Sequence, residues 1–78
     1  MSYRFYKEVY NDEDGVRTLG FFEHDTGKAY INFDLNVVDD YLLEHGELAT
    51  ARMVCTALQA ALGVPLTEAE IEHAVEDI

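Results

Sequence analysis

Residues 48–63 read LATARMVCTALQAALG, and how this stretch is buried decides how the rest of the chain folds. On a helical wheel Leu48, Ala51, Val54, Cys55, Leu58 and Leu62 recur at the i, i+3, i+4, i+7 spacing of one helix face. The other side is also apolar. Ala49, Met53, Ala57 and Ala60 form a second, small-residue face, and Arg52, Thr56 and Gln59 leave only a narrow polar strip. A helix apolar on nearly all sides is expected to be central and covered from more than one side. Every other segment is short enough to serve as its cover.

Before this helix the apolar period is 2. In residues 2–10 Tyr3, Phe5 and Val9 point one way and Arg4, Tyr6, Glu8 and Tyr10 the other, which predicts a strand. A polar loop ending in Asp14-Gly15 is a hairpin signal. Residues 16–23 form the second strand, with Leu19 and Phe21 on one face and Thr18, Gly20 and Phe22 on the other. Gly20 suggests a bulge or a close approach by another backbone. His24-Asp25-Thr26-Gly27 is a second tight turn, and residues 28–33 form a third strand that alternates Ala29, Ile31 and Phe33 against Lys28, Tyr30 and Asn32. Loops this short imply an antiparallel meander.

The period then changes to 3.6. Asp34 or Asn36 is placed to cap a helix whose apolar residues are Val37, Val38, Tyr41 and Leu42, and Gly46 ends or bends it. Gly63, followed by Pro65, stands where the central helix should stop. Thr67-Glu68-Ala69-Glu70 spells a capping box, and Leu66 and Ile71 stand at the two positions of a hydrophobic staple. Ile71, Ala74, Val75 and Ile78 are the expected buried stripe of a last helix. The reading is one α+β domain over residues 1–78. A three-stranded antiparallel meander is followed by two to three α-helices packed on one face, in the order βββααα.

Half of the 78 residues are hydrophobic, which suits a packed core and argues against disorder. The single cysteine, Cys55, excludes an internal disulfide framework and reads as a small buried hydrophobe. Neither a charged-then-apolar leader nor a membrane-length apolar run is visible, so a cytoplasmic location is expected.

Catalytic and metal motifs do not assemble. Asp25-Thr26-Gly27 copies the aspartic-protease triplet, but that chemistry needs two facing copies, and this one falls in a hairpin turn. His24, His45 and His73 lie in three separate elements, and Glu44-His45-Gly46-Glu47 reads as a solvated helix junction. Asp39 and Asp40 are adjacent on a helix, so their carboxylates diverge by about 100°. Neither enzymatic activity nor a cofactor or metal is expected.

Charge carries more information. The net charge of −11 comes from 16 acids against 5 bases. Residues 1–33 hold six acids and four bases; residues 34–78 hold ten acids against Arg52 alone. Glu68, Glu72 and Glu76 fall at i, i+4 and i+8, about 6 Å apart on one helix face, with Asp77 beyond them. Like charges at this spacing and acids at a helix C-terminus oppose stability, so a role outside folding is expected of them. Asp39, Asp40, Glu44 and Glu47 add to the same acidic half. Carboxylates so spaced resemble the run of phosphates along a nucleic-acid strand. The expected partner is a basic surface on another protein, itself nucleic-acid-binding, with no direct nucleic-acid or membrane contact. Small acidic phage inhibitors of restriction or CRISPR systems, and some antitoxins, are similar in size and charge.

Two alternatives use other features. Tyr6, Tyr10, Phe22 and Tyr30 are expected on the outer face of the sheet beside Arg4 and Lys28, where they could serve a protein contact, a homodimer or base stacking. A uniformly solvated acidic surface adapted to high salt is the other, although such a surface should be acidic everywhere.

Overall fold

The computed structural model describes residues 3–76, and it has the order β1 (Phe5–Asn11), β2 (Arg17–Glu23), β3 (Ala29–Asp34), α1 (Leu35–His45), α2 (Glu47–Leu62) and α3 (Glu68–Val75). The strands form one antiparallel sheet in the order β1-β2-β3, and the helices lie against one of its faces. Expected elements and observed elements agree in number, order and type. The expected places of Ile78 and Asp77 lie outside the described residues.

Turn chemistry closes both hairpins. Asp12 Oδ1 accepts from the backbone N–H groups of Asp14 and Val16, and Gly15 takes φ 79°. At the second turn the Gly27 N–H donates to the Glu23 carbonyl and the Thr26 hydroxyl accepts from the Lys28 N–H. Asp25-Thr26-Gly27 is therefore a hairpin turn.

The core lies between sheet and helices. Phe5, Leu19 and Phe21 pack from the sheet against Val54 and Leu58 of α2, Leu66, and Ala74 of α3. The Phe5 and Phe21 rings meet edge to face at 5.4 Å, and Phe21 meets Phe33 in the same way at 6.0 Å.

Each helix is capped by its own sequence. Asp34 Oδ1 accepts from the Asn36 N–H at the start of α1. Gly46 ends α1 by donating to the Leu42 carbonyl, and its own carbonyl starts α2 by accepting from both the N–H and the hydroxyl of Thr50. Gly63 closes α2 at φ 79°, a left-handed conformation that glycine adopts at low cost. Thr67 and Glu70 form both halves of the capping box of α3.

The helical faces match expectation in part: Val54 and Leu58 of α2 and Ala74 of α3 are buried as expected, and Cys55, Leu62 and Val75 pack against the core. The buried strip of α2 is Thr50, Val54 and Leu58, whereas Leu48 is 66% exposed. Arg52 and Thr56 of the expected polar strip are exposed, as are Ala60 and Ala61, while α1, α3 and β3 all pack against α2. In α1 Val38 is buried but Val37 is 61% exposed. In α3 the buried residues are Glu70 and Ala74, while Ile71 is exposed and forms no buried half of a staple with Leu66. Among the described residues no helix is long and apolar enough to cross a membrane.

Candidate functional site

The acidic residues divide into an outward set and a set built into the fold. Asp39, Asp40 and Glu44 lie on the exposed side of α1, Glu47 is in the first turn of α2, and Glu68 and Glu72 project from α3. Asp39, Asp40, Glu47, Glu68 and Glu72 make no ion pair among the described residues. Among the described residues Glu44 pairs only with His45, whose Nε2 is 3.9 Å away. On α1 the exposed Leu43 stands between these carboxylates, three residues after Asp40 and four after Asp39. Within α1, Asp39 and Asp40 therefore flank an apolar side chain that is itself 86% exposed.

Glu76 leaves the expected file. It sits at the C-cap of α3, and its Oε1 is 3.5 Å from Lys7 Nζ and 3.4 Å from His73 Nδ1. Lys7 reaches it because Lys7 pairs opposite Phe21 and so shares the helix-facing side of the sheet with Phe5 and Val9. Asp77 lies outside the described residues.

Glu70 is the strongest contrast. Its Oε1 accepts from the Thr67 N–H and from Arg4 Nη2, and its Oε2 accepts from the Arg4 N–H and Nε. Arg4 Nη2 also donates to the Pro65 carbonyl at 2.7 Å. The side chain of Glu70 is nearly buried, whereas that of Arg4 is 41% exposed. Hydrogen bonding from the guanidinium, with backbone donors adding to it against the opposing effect of burial, holds the Glu70 carboxyl down at about 2. Arg4 is thus held at the start of α3 and is not part of an outer basic rim, as the strand alternation had implied.

The aromatic set on the outer sheet face is reduced from four residues to three. Tyr6 and Phe22 are directly cross-strand with ring centroids 5.3 Å apart, and Tyr10 lies 6.0 Å from Phe22. The Tyr10 hydroxyl donates to Asn32 Oδ1 at 2.9 Å. Gly20 lies under this cluster: a Cβ there would meet the Phe22 ring at 2.6 Å and Asn32 Oδ1 at 2.8 Å. The close approach at Gly20 is thus made by side chains.

Tyr30 belongs to the opposite face. The register shifts between Phe21, which pairs with Ile31, and Phe22, which pairs with Ala29, so Tyr30 is the extra residue of a β-bulge. The bulge turns Tyr30 against the core and leaves Ala29, expected inside, exposed. The Tyr30 hydroxyl donates to Glu23 Oε2 at 3.4 Å, and burial, with Glu23 second, pushes its pKa up.

Cys55 is half-buried, and burial raises its thiol pKa, which disfavours the nucleophilic thiolate. His45 lies against the Tyr41 ring at 4.3 Å, and no group of three or more His, Cys, Asp or Glu able to hold a metal occurs among the described residues. Compared with protein-family models, curated proteins and solved structures, the chain gives no match in any of the three.

Proposed function

We propose that this chain is a small, non-catalytic, cytoplasmic inhibitor that occupies a basic surface of a nucleic-acid-binding protein and excludes nucleic acid from it. The observation that carries this reading is that Asp39, Asp40, Glu47, Glu68 and Glu72 are exposed and make no ion pair among the described residues, on a half of the chain whose only base is Arg52. Exposed carboxylates without an ion-pair partner cost little solvation and project their field in front of the surface. That field accelerates encounter with a cationic groove and fades as salt screens it. Leu43, raised among the acids of α1, supplies the apolar contact that an interface core needs.

The reading is tested with Asp39→Asn, Asp40→Asn, Glu44→Gln, Glu68→Gln and Glu72→Gln combined. Glu76 is left intact because it pairs with Lys7 and His73. The variant should keep the fold and lose low-salt capture of a DNA- or RNA-binding protein that wild type retains. Tyr6→Ala with Tyr10→Ala should capture normally. The reverse pattern would place the interface on the sheet.

A further inference from the structure

We propose that the cleft at the open end of the sheet binds an organic cation, either a guanidinium or an alkylammonium group. The cleft has a volume of about 680 Å³ and is bordered by Tyr3, Arg4, Glu23, Asp25, Tyr30 and Leu62, among others. Three features of its construction select a cation.

The first is charge. Arg4 is neutralised by the Glu70 carboxylate, to which it donates through Nε and Nη2. Glu23 and Asp25 make no ion pair among the described residues. The cleft therefore presents the Glu23 and Asp25 carboxylates, neither ion-paired among the described residues, with His24 between them in sequence and also on its border. The second is the pair of rings. Tyr3 is held by stacking on His73 at 4.2 Å, and Tyr30 is held by its hydrogen bond to Glu23. Tyrosine rings attract cations, and preferentially guanidinium, through their quadrupole. The third is the mixed wall. Leu62 provides an apolar surface for the methylene stem that carries such a head group. The bulge at Tyr30 creates the arrangement, because an unbulged β3 would turn that ring to the outer face.

None of these residues belongs to the outward acidic set, so changes here leave that set intact and the two readings stand or fall separately. The test is an NMR titration of the full, 15N-labelled chain with agmatine, spermidine and the capped peptide acetyl-Gly-Arg-Gly-amide. Saturable shifts are expected at the amides of Glu23, Asp25, Tyr30 and Leu62, with little change at Asp39, Asp40, Glu68 and Glu72. Glu23→Gln with Asp25→Asn should weaken binding about tenfold, as loss of two part-exposed ion pairs implies. Tyr30→Phe should retain binding, and Tyr30→Leu should weaken it about threefold, the smaller end of a cation–π contribution. Saturation by the amines alone assigns the site to a free amine; saturation by the peptide assigns it to a protein side chain. Shifts that fail to saturate, or that spread equally over the acids of α1 and α3, overturn the proposal. So does undiminished binding by the Glu23/Asp25 variant if its spectrum is otherwise native.

Discussion

The two sides of α3 use the same residue type for opposite ends. On its inner side Glu70 receives four hydrogen bonds from Thr67 and Arg4 and ties the last helix to the start of the first strand. On its outer side Glu68 and Glu72, two residues before and after it, are exposed and unpaired among the described residues. A step of two residues turns about 200° around a helix, enough to carry a carboxylate from the core to water. The difference teaches that an acidic helix is not one electrostatic object. Each carboxylate takes its role from what faces it, and removing charge should stabilise one side of α3 and destabilise the other.

The largest expected effect is at Glu70. Glu70→Ala removes one half of the capping box and the partner of Arg4, and should cost roughly 2–4 kcal/mol. Urea unfolding should show a lower midpoint at unchanged slope. An unchanged midpoint would mean that the inner and outer acids are alike.

The same contrast should appear in acid. Glu70 titrates at about 2 in the folded chain, against an ordinary value of 4.5. A lowered folded pKa stabilises the fold above the unfolded pKa. Its contribution is therefore complete above about pH 4.5 and is lost as pH falls toward 2. Stability followed between those limits should fall more steeply for wild type than for Glu70→Gln. Parallel curves would remove Glu70 as the group responsible.

Thr67→Ala affects the capping box from its other end. It should cost about 0.5–2 kcal/mol, read in global unfolding because Leu66 and Ala74 beside it are core residues. On the outer side, Glu68→Gln with Glu72→Gln should leave stability unchanged or raise it by about 0.2–0.5 kcal/mol, since like charges four apart repel. A clear loss of stability would show that these acids also serve the fold.

How much of this was legible in the sequence depends on the range of the interaction responsible. The strands, their turns and the capping box at Thr67 follow from patterns a few residues long, and the structure has them where those patterns stand. The core face of α2 was legible at Val54 and Leu58, which the apolar spacing picks out, but its edges were not: the structure buries Thr50 and exposes Leu48. Thr50 tolerates burial because the Gly46 carbonyl accepts from its hydroxyl, a bond that hydropathy does not record. Strict alternation puts Tyr30 on the outer face, but one bulged residue inverts the alternation beyond it. Glu70 was legible as a capping residue, but its partner Arg4 is 66 positions away and no local pattern joins them. In the acidic set, exposure at Glu68 and Glu72 followed from helical spacing. The diversion of Glu76 did not, because it depends on Lys7 facing the helices from β1.

The most direct measurement is affinity capture from the source cells at low salt, with wild type and the five-acid variant at Asp39, Asp40, Glu44, Glu68 and Glu72 run in parallel, followed by elution with duplex DNA or RNA. Wild type should retain a nucleic-acid-binding protein, nucleic acid or raised salt should release it, and the variant, folded and at least as stable, should retain none. Capture of the same protein by the variant, or retention that nucleic acid and salt leave untouched, would contradict the proposed function.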